Sequence, residues 1–385
     1  MLDKAIKGSS IYWGWIIFLL VLMGIGFLFY LRQWNEGLIV TGMSRDVSFG
    51  FYIGQLTYFV GVAASGVMVV LPYYLHDYKA FGRITILGEF LAVASIVICL
   101  SFVMVDLGNL PRFINLMLHP NPTSILLYDA IVLPVYMLLN IVIGWNVLSA
   151  EHKGVSYNTW VKVLIYISIP WAFSIHTVTA FLYAGIPGRH YWLTAIMAAR
   201  FLASAFCSGP SLLILLCFIV RKFTNFDPGS RQIRTLGVIV TYAMIFNVFF
   251  FGLELFTAFY SQIPGHMHSL QYLFTGMEGH GKLVPWMWTA AFFAVASLVL
   301  LIIPAFRKNE KILIAACVSV IIATWIDKGF GLVIGGFIPN MFEKVFEYWP
   351  TMTEIFISIG IWALGFFIVS VLFKITTSIK EEVAA

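Results

Sequence analysis

Apolar runs of about 20 residues recur from Tyr12 to Phe373, and each is long enough to cross a ~30 Å hydrocarbon core as a helix. No other feature constrains the fold as strongly. In lipid, every backbone N–H and C=O must find a partner within the protein, which leaves only helices or closed barrels as spanning structures. A barrel would show short segments of alternating polarity, and this chain has long continuous ones. The expected fold class is therefore an all-α polytopic membrane protein. Composition agrees: 11% of the 385 residues are charged, against roughly 25% in soluble domains.

Ten spans are expected, near 12–31, 50–74, 84–105, 124–148, 161–184, 194–220, 235–260, 286–306, 312–326 and 351–373, the ninth being short. The first apolar run exceeds a signal-peptide core and lacks a small-residue cleavage site, so it reads as a retained helix. Ten spans put both termini on one side, and that side carries roughly twice as many Lys and Arg as the other, which places both termini in the cytoplasm and the chain in the inner membrane. The net charge of +5 follows from this topology and calls for no nucleic-acid partner; the bilayer itself is the expected surrounding.

Four of the outer connections, about 32–49, 106–123, 261–285 and 327–350, are long and rich in Gly, Pro, Asn, His and aromatics. Long connections either function, bind a partner or form a flexible fringe. A faint repeat links Ala64–Lys79 to Cys207–Lys222: each has Ser-Gly, an apolar run and then a basic residue. It suggests a parallel repeat pairing helices 2–5 with helices 6–9. The expected division is 1–49 (first helix and outer loop), 50–193 and 194–327 (two four-helix bundles), and 328–385 (outer loop and last helix).

Ionisable residues inside spans are functional candidates by default, because a charge at mid-bilayer costs about 2.5–3.5 kcal/mol on insertion scales. Asp106, Asp129, His176, Arg200, Glu254 and Gln55 fall at similar outer depth on six helices. They fit either a shared polar pocket, with Arg200 neutralising carboxylates, or interhelical pairs that fix packing. Tyr128 stands beside Asp129. Glu89 lies toward the inner side, either handling protons or snorkelling to the cytoplasm. Cys99, Cys207, Cys217 and Cys317 are scattered through apolar segments, giving no framework for an intrinsic iron–sulfur cluster. Only His176 among eight histidines lies well inside a span, whereas a bis-His haem needs two; no metal motif joins His266, His268 and His280.

The connection DLGNLPRFINLMLHPNPTS, Asp106–Ser124, ends one helix at Asp106, turns at Gly108 and Pro111, and offers Thr123 or Ser124 as the next N-cap. Asp-Leu-Gly-x-x-x-Arg-Phe followed by Pro-Asn-Pro-Thr-Ser and a new span resembles the NrfD/PsrC family of quinone-interacting membrane subunits. Ser44-Arg45-Asp46, Phe49–Tyr52, the small residues Gly61–Ser65, and His176 with Ala205–Gly209 fit the same pattern. Within the family the likeness is greatest to the DsrP subunits of DsrMKJOP complexes in sulfur-metabolising prokaryotes.

The resemblance implies two four-helix bundles plus two further helices, no bound redox cofactor, and menaquinone or menaquinol as substrate at a site near the periplasmic face. It also implies a periplasmic iron–sulfur subunit over that site and further membrane and cytochrome subunits in the complex. Asp129, His176, Asp106 and Glu254 are then the expected proton-exchanging groups. Tyr128, Asp129, His176, Gln55, Arg200 and Arg112 are the expected quinone contacts, and Glu89 the start of a proton path that could make turnover electrogenic. A passive anchor for redox subunits, or a transporter or channel, would use many of the same features.

Overall fold

The computed structural model describes residues 1–76 and 78–384. Ten helices are long and apolar enough to cross a membrane: α1 (Ser10–Glu36), α2 (Phe51–Leu75), α3 (Thr85–Asp106), α4 (Ile125–Lys153), α5 (Thr159–Ala184), α6 (Met197–Phe223), α7 (Ser230–Ser261), α8 (Val284–Ile302), α9 (Glu310–Phe337) and α10 (Met352–Val383). Among the described residues there is no strand, only an isolated bridge between Met277 and His280. The chain is an all-α polytopic membrane protein.

Local chemistry sets many helix ends. Ser9 Oγ accepts the Tyr12 amide at the start of α1, satisfying one of the donors a helix N-terminus leaves free. Gly154 closes α4 in the left-handed region at φ 66°, where a side chain would be strained. Asn309 caps α9 by accepting the Lys311 amide at 3.0 Å. At Asp106–Ser124 a tight turn, Leu110–Phe113, runs into a short helix, Ile114–Leu118. Asn121 Oδ1 then accepts both the amide and the hydroxyl of Thr123, so Asn121 rather than a Thr or Ser side chain organises the re-entry.

Helices α2–α5 pack on one another, as do α6–α9; α2 and α3 touch α6, and α2 also meets the end of α9. Helices α1 and α10 form a pair that leans on α3. Their contact rests on two glycines: a Cβ at Gly26 would fall 2.7 Å from Gly360 Cα. With neither side chain present, the backbones approach as small residues allow in membranes, and Phe29 stacks on Phe356 at 4.6 Å beside them.

The ninth span corrects the sequence reading. It does not stop at Ile326 but continues as a wide π-helical turn, Asp327–Ile334, and then Gly335–Phe337, so the outer connection begins at about 338. Asp-Lys-Gly-Phe-Gly reads as a loop, yet its glycines serve close packing. Gly329 sits against Gly54 of α2, where a Cβ on Gly54 would be 3.0 Å from Gly329 Cα. Gly336 lies under the Trp192 indole, whose Nε1 donates to the Leu332 carbonyl at 2.8 Å. That bond supplies a partner for a carbonyl in a stretch whose hydrogen bonding departs from the α pattern.

The α1–α10 seam gives a direct test. Gly360→Val forces a branched side chain into the backbone contact and is expected to destabilise the fold by about 1–3 kcal/mol. Thermal unfolding of the detergent-solubilised protein reads it, and an unchanged midpoint would contradict the packing.

Candidate functional site

The long connections gather at one end of the helix array, here termed the long-loop face. Beneath it, α4 and α5 place Asp129, 4% exposed, against Thr179, whose hydroxyl donates to Asp129 Oδ1 at 2.7 Å. One helical turn of α5 brings Thr179 and Tyr183 onto one face. The buried Tyr183 hydroxyl shares a 2.5 Å hydrogen bond with Thr57 of α2 and lies within electrostatic reach of both Asp129 and Asp106. Asp106 Oδ1 is buried without a hydrogen-bond partner among the described residues. On its other side Tyr52 donates to Gln33 Oε1 at 2.7 Å, and Gln33 Nε2 donates to the Val105 carbonyl at 2.6 Å.

Glu354 completes this acidic cluster and is fully buried. It accepts the Gly42 and Thr351 amides at 2.8 Å and the Tyr348 hydroxyl at 2.5 Å; Tyr348 in turn accepts the Phe51 amide. One carboxylate thus ties the 37–50 and 338–351 connections to the start of α10. Neither Asp106, Asp129 nor Glu354 forms an ion pair among the described residues.

A second cluster lies across α6, α7 and α9. Arg200, 3% exposed, stands between Glu254 Oε2 at 3.7 Å and Asp327 Oδ1 at 3.6 Å. Glu254 also faces His266 Nδ1 at 3.8 Å and accepts a 3.4 Å hydrogen bond from Thr194. Lys328 is buried beside this group with its ammonium 3.8 Å from the centroid of the Phe201 ring, a cation–π contact. His176 belongs on this side. It is fully buried, edge-on to Phe206 at 6.5 Å, and within electrostatic reach of Lys328.

The residues expected at one level therefore divide between two groups. Asp106 and Asp129 join the acidic cluster of the first four packed helices; Arg200, Glu254 and His176 gather around Lys328 and Asp327. Gln55 is buried but engaged, accepting Trp325 Nε1 at 2.8 Å and so tying α2 to α9. Tyr128 lies outward: it is 46% exposed, and its hydroxyl donates to the Pro122 carbonyl at 2.8 Å. Arg112 is exposed on the connection. Glu89 sits near the opposite, short-loop face with Oε2 buried and unpartnered beside Gly144 among the described residues, and the Lys380–Glu151 ion pair at 2.8 Å lies within electrostatic reach.

Sequence reasoning missed Lys328 and Asp327, because the glycines around them suggested a loop. It also missed Tyr183, Tyr52, Gln33 and Glu354. Their signal was depth: each is polar or phenolic at the long-loop end of a span. Among the described residues no group of three His, Cys, Asp or Glu side chains is placed to hold a metal ion.

Two clusters of ionisable side chains thus lie under one loop-rich face of a helical membrane protein. Comparison with known proteins makes the class specific. Residues 39–339 match the family model described as polysulphide reductase, NrfD, and the chain belongs to that family. It is similar to the Hdr-like menaquinol oxidoreductase integral membrane subunit of Archaeoglobus fulgidus, 25% identical over 78% of this chain and 73% of the relative. It is likewise similar to the menaquinone reductase integral membrane subunit of Nitratidesulfovibrio vulgaris, 24% identical over 96% of this chain and 92% of that one. A putative dimethyl sulfoxide reductase membrane protein of Halobacterium salinarum is 25% identical over 92% and 89%.

Two outcomes follow from the electrostatics. Arg200→Met strands Glu254 and Asp327 without their cation, and removing one partner of a buried pair costs about 3–5 kcal/mol; denaturation of the purified protein should show a loss of that order. The second concerns Glu347, outside the spans. Burial pushes its carboxyl up. Hydrogen bonds from the Lys282 amide, Tyr272 and His280, with the Lys282 charge, outweigh this and hold it below the usual carboxylate range. A depressed acid contributes stability above its unfolded pKa, about 4.3, and loses it as pH falls through the folded value. Protection factors at 276–285, which correct for the intrinsic pH dependence of amide exchange, should hold at neutral pH and fall as the pH drops below the unfolded value of about 4.3.

Proposed function

We infer that this chain is the quinol-reactive membrane subunit of a respiratory redox complex, with menaquinol as substrate beneath the long-loop face. The observation that carries the reading is the acidic group Asp106–Tyr183–Asp129: a buried carboxyl at Asp129, a half-buried one at Asp106 whose Oδ1 is buried and unpartnered, and a buried phenol under the loops, neither acid paired to a cation among the described residues. The names of relatives that act on menaquinol or menaquinone support the substrate class.

Oxidation of a quinol to a quinone releases two electrons and two protons. Asp129 and Asp106 accept protons from the ring hydroxyls as general bases, and Tyr183 takes the hydrogen-bonding role first expected of Tyr128. The electrons leave at the long-loop face to an iron–sulfur partner subunit in the periplasm, the reverse flow reducing quinone. Further membrane and cytochrome subunits complete the assembly. The resemblance to DsrP subunits supports a place in sulfur metabolism. Both termini lie in the cytoplasm of an inner-membrane protein, as the Lys and Arg distribution supports.

The Arg200–Glu254–Asp327 group, with Lys328, His176 and His266, sets the charge balance of the neighbouring helices. Glu89 begins a proton path from the short-loop face. Proton supply from that side would make turnover electrogenic.

Asp129→Asn keeps the side chain's shape and its capacity to accept from Thr179 but removes the base. In the assembled complex it should lower the rate of menaquinol oxidation by about 10²-fold or more, with assembly and partner content unchanged. Wild-type turnover by this variant would sink the assignment and favour a passive anchor; solute flux in liposomes without a redox partner would favour a transporter.

A further inference from the structure

A trough of about 470 Å³ runs between α1 and α10 with α3 as part of its floor, lined by Leu20, Gly24, Phe27, Val105, Ile357 and Ile361 among others. It is open along the outer surface of the helix pair, where α1 shows its apolar side chains. From Leu20 to Tyr30 on α1 it extends about 15 Å at 1.5 Å per residue. One end lies at Val105 and Ile357, near the long-loop end of their helices; the other lies at Leu20 and Leu364, toward mid-span. The trough therefore descends from the level of the acidic cluster into the apolar interior.

The two ends differ in chemistry. The trough walls are apolar side chains and glycines, with the Tyr30 phenol toward the long-loop end of α1. At the long-loop end the lining reaches Val105, whose carbonyl is held by Gln33; the next residue, Asp106, keeps a buried carboxyl oxygen without a partner among the described residues. Glu354 is within electrostatic reach of Asp106, and neither acid has an ion-pair cation among the described residues. The trough so ends one residue from an acidic, cation-free level, which disfavours the phosphate of a phospholipid and is compatible with a neutral hydroxyl. An amphiphile with an uncharged hydroxylated ring and a long hydrocarbon tail complements both ends; an anionic lipid complements only one.

We propose that the trough between α1 and α10 holds the polyprenyl tail of the quinol, with the ring end toward Asp106. The assignment rests on the quinol-reactive reading above and adds a determinant of substrate specificity that lies outside the acidic cluster. The α1–α10 pair then recognises the tail, while the neighbouring helices handle the ring.

Gly24 makes the test clean, since a Cβ there meets nothing within 4 Å and a larger side chain grows into the trough, not into a helix. In the purified complex, Gly24→Leu should raise KM for tailed menaquinol about tenfold by displacing apolar contacts. KM for menadiol, the same ring without a tail, and kcat for both should stay unchanged. Gly24→Ala should give a smaller shift in the same sense and serves if the leucine variant fails to assemble. Independently, a menaquinone carrying a photoreactive group on its tail should label α1 and α10 peptides of the wild-type complex, with competition by tailed menaquinone and not by phosphatidylglycerol. Equal KM shifts for both quinols, no shift for either, or competition by phosphatidylglycerol alone would overturn the tail assignment while leaving quinol oxidation intact. Labelling of the trough in a complex that oxidises neither quinol would instead overturn the quinol-reactive reading.

Discussion

The buried guanidinium of Arg200 is the fixed point around which the loop-rich end of the protein is built. An arginine cannot shed its charge, so its place among apolar helices requires anions from elsewhere in the chain. Glu254 arrives from α7 and Asp327 from α9, at 3.7 and 3.6 Å. Supplying Asp327 at that depth is what the wide turn at the end of α9 accomplishes. The same turn carries Lys328 into the interior and presses Gly329 against Gly54 of α2. A charge requirement on α6 thereby becomes a packing contact between the two halves of the helix array.

The cost of this arrangement falls on the backbone. A π-helical stretch departs from the α hydrogen-bond pattern, and in lipid no solvent makes up the difference. The Trp192 indole donating to Leu332, and the Arg189 guanidinium donating to the Phe337 carbonyl at 3.1 Å, provide partners from the 185–196 connection. That connection is ordered by the bundle end it serves: Tyr191 and Trp192 are buried, and burial pushes the Tyr191 phenol up to about 12, so it stays neutral beside the ion-pair group.

Much of this was legible from residue type and position. Span number, the polar character of the long-loop end and the candidacy of Asp106, Asp129, Arg200 and Glu254 follow from hydropathy and from the expense of intramembrane charge. What the sequence hid was partnership. Nothing along the chain links Thr179 to Asp129 or Glu354 to Gly42, since such pairs are made by helix rotation and by connections folding back. Depth alone also put His176 with Asp129, whereas its side chain lies against Phe206 and near Lys328. Asp327-Lys328-Gly-Phe-Gly was misread because glycine marks both a loop and a close helix contact, and only the neighbour Gly54 decides between them. The outward position of Tyr128 has a related cause: adjacent residues on a helix point about 100° apart, so Asp129 facing inward turns Tyr128 outward.

The division of charge between the two clusters bears on how the chain works. Around Arg200, a permanent cation faces two carboxylates, so that group suits a structural and electrostatic role. Around Tyr183, Asp106 and Asp129 have hydroxyl, amide and phenol neighbours but no cation among the described residues, which leaves a proton as the charge available to balance them. That condition is what the proposed proton exchange with a redox substrate requires, the second cluster then serving to hold the local charge. On the reading proposed above, the acids on α3 and α4, the phenol on α5 and the apolar trough on α1 and α10 would place ring chemistry and tail recognition on different helices, so that either could vary without rebuilding the other.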